Sequence, residues 1–349
     1  MQSLPLEAKI AMTQKRIEAW YESWKKYEIF NEKTGKTRFV TATEEPPLKD
    51  HEYIESITEG QVYVAFSGGK DSTVLKHIVD SMYSDVPAVF VNTGLEYPEI
   101  QKFVRDIKSG KWECFNSDVE MIRPEMRFDE VLKNYGYPVV SKRVAGYLAT
   151  AKRNPTSMRA KYIRGEEWTK FVSPKWAFLI DSPFPISDAC CNVMKKKPIK
   201  VYAKTTGRKG ITAQMASESL SRERQWFENG CNGFNLTEPI SNPLSFWTEQ
   251  DILEYLRLYN LPYASVYGDI VETKKGLCTT GCKRTGCIFC CFGIMQDGTP
   301  NRFQRMKETH PRQYEYCING GEMVDGKWQP SKEGLGLGHV LDYIGVKYD

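Results

Sequence analysis

Hydrophobic and polar positions change rhythm several times along the chain. Over residues 5–29, Ile17, Trp20, Tyr21 and Trp24 recur at i, i+3, i+4 and i+7, which predicts an amphipathic helix. Its apolar face needs the core or a second subunit to cover it, so a homo-oligomer stays open. A polar stretch with a proline pair, TATEEPPLKDHEY at 41–53, separates this segment from the remainder of the chain.

From residue 62, short apolar runs alternate with helix-period segments. VYVAF at 62–66 reads as a buried strand, 71–83 as a helix, PAVFVN at 87–92 as a strand and 97–108 as a helix. A third strand is expected at 119–122, with helices around 128–134 and 141–152. GITAQM at 210–215 adds a strand, and a helix starts at Thr248 with Asp251 as its capping partner. Such alternation predicts an α/β fold, a parallel sheet covered by helices on both faces. The last ninety residues are rich in Cys and Gly, with little periodicity before about residue 300. The expected division is a helical arm over 1–50, an α/β domain over 51–265 and a small Cys-rich region over 266–349.

Composition narrows the class. With 41% hydrophobic and 26% charged residues among 349, the chain reads as a soluble globular protein. No run approaches a membrane span, and Glu7, Lys9, Lys15, Arg16 and Glu18 argue against a secretory signal. A cytoplasmic protein without membrane contacts is the expectation. The net charge of +4 is too mild to imply nucleic acid by itself.

The ten cysteines are more informative. Cys278, Cys282, Cys287, Cys290 and Cys291 crowd into one short stretch, and Cys190 and Cys191 are adjacent. In a reducing compartment such clusters point to metal more than to disulfides. The pair at 190–191 with Cys287-x2-Cys290 supplies four thiolates, enough for a tetrahedral zinc or an iron–sulfur cluster; spacing does not choose between them. Cys114, Cys231 and Cys317 stand alone and read as small buried hydrophobes.

The turn SGGKDS at 67–72 carries the sharpest chemistry. It sits between a strand and a helix, where ligands bind in open α/β sheets. Ser67, Gly68 and Gly69 can turn successive N–H groups on one anion, and the helix beginning near Asp71 adds its N-terminal partial charge. Lys70 contributes a point charge, and the hydroxyls of Ser67 and Ser72 can bond phosphate oxygens. The pattern is not the Gly-x4-Gly-Lys-Ser/Thr of common nucleoside triphosphatases.

SGGKDS is similar to the PP-loop of the adenine nucleotide alpha-hydrolase superfamily, and its surroundings resemble the phosphoadenylyl-sulfate (PAPS) and adenylyl-sulfate (APS) reductase family. VNTGLEYPE at 91–99 looks like the family's Asp-Thr-Gly segment, with Asn92 where Asp is usual, followed by Thr93 and Gly94. In GITAQMASESLSR at 210–222, Glu218, Ser219 and Arg222 match, while Met215 or Ala216 replaces the usual Arg. PLSFWTEQDILEYLRLYNLPYASVY at 243–267 matches almost throughout, and the resemblance covers about residues 60–295.

The resemblance implies a Rossmann-like fold in which Ser67–Ser72, Asn92, Thr93, Gly94, Glu218 and Ser219 hold ATP, APS or PAPS. Lys70 and Arg222 would offset charge on the phosphates, and Asp71 would hold Mg²⁺ or order the loop. It also implies a [4Fe–4S] cluster on Cys190, Cys191, Cys287 and Cys290. The insertion at 268–285 brings Cys278 and Cys282, with Cys282 as an alternative ligand. Lys195–Lys197 are expected beside the cluster or the nucleotide.

The family's terminal Glu-Cys-Gly-x-His motif has no counterpart, since no cysteine comes after Cys317. The first expectation is therefore ATP-dependent adenylation of an acceptor for sulfur transfer, with Cys317 or Cys291 as a sulfur carrier and a sulfur donor protein as partner. Sulfonucleotide reduction to sulfite is the second, and a non-catalytic nucleotide sensor the third. For the acceptor, Lys142, Arg143, Lys152, Arg153, Arg159, Lys161, Arg164, Lys170 and Lys175 interleave with Tyr147, Tyr162, Trp168 and Trp176. This suits tRNA or another nucleic acid bound over 142–175, but also a solvated helical face above ordinary core aromatics.

Overall fold

The computed structural model describes residues 1–349. Helix α1 (Leu6–Ser23) leads into strands β1 (Lys25–Asn31), β2 (Lys36–Ala42), β3 (Glu52–Thr58) and β4 (Val62–Ala65). Then come α2 (Lys70–Met82), β5 (Ala88–Val91), α3 (Pro98–Lys108) and β6 (Val119–Ile122). Three helices come next, α4 (Phe128–Asn134), α5 (Lys142–Arg153) and α6 (Met158–Arg164). After a long irregular stretch, α7 (Lys197–Thr206), β7 (Lys209–Ile211), α8 (Leu220–Asn229), β8 (Asn232–Gly233), β9 (Ile240–Ser241) and α9 (Glu249–Leu258) continue the chain. The last elements are β10 (Ile270–Thr273), β11 (Gly276–Thr279), α10 (Arg302–Thr309), α11 (Pro311–Ile318), β12 (Glu322–Val324), β13 (Lys327–Gln329) and α12 (Leu337–Tyr343). No helix is long and apolar enough to cross a membrane.

The residues group into two compact units, each built from separated stretches. The first takes 1–92, 96–122 and 199–285, the second 93–95, 123–198 and 286–349. These groupings cut across the contiguous boundaries expected at residues 50 and 265. The reason lies in the sheet: β4 pairs with β7, so residues from both sides of a long excursion complete one layer.

In the first unit a six-stranded sheet runs β6-β5-β4-β7-β9-β8. All its pairings are parallel except that of the edge strand β8. Val62, Tyr63 and Val64 are buried, as are Ala88, Val89 and Phe90, the continuous apolar signature of strands covered on both faces. The chain leaves β4 towards β5 and β6 and returns on the other side with β7 and β9. The order therefore reverses at β4, and its carboxyl end is the switch point where ligands bind in such sheets.

The amino-terminal segment is not the helical arm expected over 1–50. Helix α1 stops at Ser23, and from Lys25 the apolar period changes from helical to two, burying Tyr27 and Ile29. Strands β1, β2 and β3 form an antiparallel sheet in the order β2-β1-β3. The apolar face of α1 docks on its own unit: Ile17, Trp20 and Trp24 join the main core, and Trp20 packs on Phe234 with ring centroids 4.8 Å apart. One buried ion pair accompanies that docking, with Lys9 Nζ donating to both carboxylate oxygens of Asp251 at 2.7 Å. Asp251 also accepts from the Thr248 backbone N–H at 2.6 Å, closing the capping box of α9 as the sequence indicated.

The second unit holds α4 to α6, α10 to α12 and the β12–β13 hairpin. Its Gly-rich tail packs backbone against backbone, with Trp328 Nε1 donating to the Gly336 carbonyl at 2.9 Å. A side chain at Gly334 would lie 2.5 Å from the carbonyl oxygens of Asn319 and Tyr316, so no larger residue fits there.

Candidate functional site

The phosphate cradle is the turn from β4 to α2. Gly68 takes a left-handed φ of +71°, and a Cβ there would stand 2.8 Å from the methyl carbons of Ile100 and Val104 on α3. Both conditions demand glycine. Gly68→Ala should therefore cost about 1–2 kcal/mol of backbone strain before any clash and weaken nucleotide binding in parallel; equilibrium unfolding and nucleotide titration of the same variant check both.

The turn's polar groups bond to one another. The Ser67 N–H donates to Ser72 Oγ at 3.2 Å, the two hydroxyls lie 2.9 Å apart, and the Ser72 hydroxyl reaches the Gly69 carbonyl at 2.9 Å. The Lys70 N–H, at the start of α2, donates to the Tyr267 hydroxyl at 3.3 Å, and that hydroxyl lies 2.6 Å from Thr285 Oγ1. Burial pushes the Tyr267 phenol up to about 12, so it stays protonated. The donors of an anion site are thus ordered in advance by hydroxyls that a phosphate oxygen can replace.

Three cations of the first unit are each held by carboxylates. The Lys70 side chain is only 4% exposed, and its Nζ lies 3.1 Å from Asp71 and 3.4 Å from Glu249 at the start of α9. Arg222 on α8 bonds Glu218, whose other oxygen lies 3.7 Å from Arg284. Burial lowers the Arg222 guanidinium, and the neighbouring Arg284 adds to this while Asp71 opposes it. Two positive groups share one carboxylate, an arrangement that favours a further anion.

Of the residues expected here, Ser67–Ser72, Glu218 and Arg222 fall in this unit. Ser219 accepts from the Arg222 N–H at 3.4 Å and caps α8. Asn92 comes after β5 in the first unit, with its N–H on the Ile122 carbonyl, whereas Thr93 and Gly94 belong to the second. Tyr267, Glu249, Arg284 and Thr285 escaped the sequence reading. The signal for two of them was the basic-hydroxyl string KRT at 283–285 inside the insertion.

The thiols assemble in the second unit. Cys190, Cys191, Cys287 and Cys290 line one small hollow with Leu95, Phe128, Pro138, Met194 and Lys195. Cys190 and Cys191 stand in the first turn of a helix that continues as a π-turn, Asn192–Lys196, before α7; single π-turns of this kind are frequent at functional sites. The Cys190 thiol bonds Cys191, and that bond with burial holds Cys190 protonated, well above its ordinary range, while Cys191 is held down to about 6 by the same bond, with Lys142 and Lys195 favouring the thiolate. Burial pushes the Cys290 thiol up. The loop is fixed by backbone bonds, Ile288 N–H to the Leu95 carbonyl at 2.7 Å and Cys290 N–H to the Cys287 carbonyl at 3.0 Å. Arg302, gripped by Asp297, donates to the Cys290 carbonyl at 3.0 Å.

The other cysteines separate from this group. Cys278 and Cys282 belong to the first unit, on and just after β11, and do not line the hollow. Cys291 and Cys317, the two expected sulfur carriers, are fully buried, and desolvation raises both thiols well above their ordinary value. Cys231 is buried as expected, but Cys114 is exposed, because it lies in the loop between α3 and β6. Lys195 does line the hollow, whereas Lys197 pairs with Glu125.

The family model described as "Phosphoadenosine phosphosulfate reductase domain" matches residues 61–291. A protein of Methanocaldococcus jannaschii is 22% identical over 261 residues, 74% of this chain and 47% of that protein, so the chain spans about half the length of this relative. An adenosine 5'-phosphosulfate reductase of Oceanobacillus iheyensis is 23% identical over 248 residues, 71% of this chain and 78% of that protein. Among solved structures, U34-tRNA thiolase NcsA from Methanococcus maripaludis with its [4Fe-4S] cluster covers 98% of this chain and 90% of its own, at 13% identity and a TM-score of 0.36.

Proposed function

We propose, from the premise that this chain belongs to the phosphoadenosine phosphosulfate reductase family, that it binds ATP at the β4–α2 turn and adenylates an acceptor for sulfur transfer. The observation that carries this reading is the set of three carboxylate-held cations, Lys70, Arg222 and Arg284, in the unit that holds the turn. Three cations and a helix N-terminus worth about half a charge suit the charge that a triphosphate concentrates at one end better than the phosphosulfate anhydride of APS. Asp71 is the carboxylate on hand for Mg²⁺.

In the first step an acceptor oxygen attacks the α-phosphorus. The bond from that phosphorus to the bridging oxygen breaks, and pyrophosphate leaves with the electron pair. Lys70 and Arg222 offset the charge that grows on the leaving group. Sulfide then attacks the activated acceptor carbon, and AMP departs with the oxygen.

The four thiols around the hollow fit an iron–sulfur cluster. Cys190, Cys191, Cys287 and Cys290 would hold the cluster, while Lys142 and Lys195 offset thiolate charge. Bound there, it would supply thiophilic iron and one-electron chemistry. Protein purified without oxygen should be brown, with iron and labile sulfide at about four each per chain, and Cys287→Ser should lose both. Stoichiometric zinc without iron would remove this part of the reading.

The family itself favours a second reading, reductive cleavage of APS or PAPS. Anaerobic protein supplied with ATP, APS or PAPS separates the two when pyrophosphate, AMP and sulfite are monitored. Acceptor-dependent pyrophosphate from ATP is the expected result. Sulfite from APS or PAPS with a thiol, and no pyrophosphate from ATP, would overturn it.

A further inference from the structure

The formal charge of +4 conceals an asymmetry between the two units. The first carries 26 Lys and Arg against 29 Asp and Glu, the second 22 against 15, or −3 and +7. Residues 142–175 alone hold nine basic side chains and two acidic ones, Glu166 and Glu167, which equals the whole excess of the second unit. A polyanion is the complement of such a face.

The structure also divides the aromatics of this segment into two kinds. Trp176 is buried, but Trp168 is 82% exposed and Phe171 49% exposed. The Arg143 guanidinium lies 5.1 Å and the Lys170 ammonium 5.5 Å from the Phe171 ring centroid, and Arg159 lies 5.4 Å from that of Tyr147. Rings and cations therefore share one exposed surface. Residues of this segment line a groove of about 800 Å³ that includes Thr150, Arg153 and Arg159, and a hollow of about 470 Å³ that includes Tyr162, Trp168 and Phe171. Lys152 is not available to a ligand, because its ammonium caps the carbonyls of Ile180 at 2.7 Å and Ser182 at 3.0 Å.

We propose that this face is a platform for single-stranded nucleic acid, whose bases stack on Trp168 and Phe171 while Arg143, Arg153, Arg159 and Lys170 meet the phosphates. Aromatic rings standing among cations suit unpaired bases; a duplex hides its base faces and offers only phosphates. That the bound strand is also the acceptor rests on the adenylation reading above.

Fluorescence anisotropy of the full chain with labelled 20-nucleotide single-stranded RNA, single-stranded DNA and matched duplex tests binding without ATP. A single strand of one or both sugars should bind more tightly than duplex, with affinity falling steeply as salt rises. Trp168→Ala should weaken single-strand binding by about 5- to 100-fold with little change in the salt slope, as loss of one stacked base does. The Arg143→Gln/Lys170→Gln pair should instead flatten the slope. Trp168 is exposed enough that its variant should melt as the parent does.

Equal affinity for duplex or for vesicles rich in phosphatidylserine, with Trp168→Ala indistinguishable from the parent, would overturn the proposal. The two readings fail separately. Strand binding without strand-stimulated pyrophosphate would keep the platform and sink nucleic acid as acceptor. Pyrophosphate stimulated only by a small molecule, with no strand bound, would keep adenylation and sink the platform.

Discussion

Lys70→Ala is expected to lower nucleotide-driven pyrophosphate release by about 10²- to 10³-fold, the scale set by removing one group aimed at developing charge. The effect has two parts. The phosphates lose a cation that is nearly fully buried, where its charge is little screened. They also meet the carboxylates of Asp71 and Glu249, which Lys70 otherwise neutralises. Glu249→Gln separates these parts, because it leaves the ammonium in place and removes one competitor for it. That variant should bind ATP at least as tightly as the parent. Single-turnover release of pyrophosphate and equilibrium nucleotide binding measure the two effects, and unchanged turnover in Lys70→Ala would remove the turn from the chemistry.

Lys9→Ala should destabilise the protein by about 3–5 kcal/mol, the cost of leaving one partner of a buried ion pair uncompensated. Lys9 is 2% exposed and Asp251 7%, so water cannot take over the missing ammonium. Asp251 would still accept from the Thr248 N–H and hydroxyl, which limits the damage to the charge itself. The double variant Lys9→Met/Asp251→Asn keeps the cap without burying a charge, and should lose much less than Lys9→Ala. Urea unfolding of the three proteins measures the difference; a loss below about 1 kcal/mol in Lys9→Ala would mean that water or another cation reaches Asp251. Glu249 lies on the same helix two residues before Asp251, so the Lys9 variant should also loosen the partner of Lys70.

The strands and helices between 62 and 134 were legible because they depend on local rhythm. VYVA and AVFV are buried on both faces, and the Thr248–Asp251 box needs four consecutive residues. Strand β1 was missed because KKYEIF continues the charged, aromatic composition of α1 while its period changes. The cradle's own residues could be read from SGGKDS, but its buttress could not. Tyr267 meets Lys70 across 197 positions of sequence, and Thr285 meets Tyr267 in turn. The four thiols were found by spacing and resemblance, yet the full burial of Cys291 and Cys317 is set by the fold and has no mark in the sequence. Nor could the sequence separate Trp176 in the core from Trp168 in solvent, since both stand among similar charges.

The interleaving of the two units in sequence has a consequence for biosynthesis. The phosphate turn leaves the ribosome early, but β7, the neighbour that completes the sheet beside β4, is made more than a hundred residues later. Thr285 closes the first unit later still. At about 5–20 residues per second, the interval between Ser72 and Thr285 is roughly 10–40 s. Until then the nascent chain has the loop sequence without the hydroxyls and guanidinium that order its site. A nascent chain stalled before residue 285 should neither retain ATP nor resist protease as the finished protein does, so the capacity to bind nucleotide arrives late in translation.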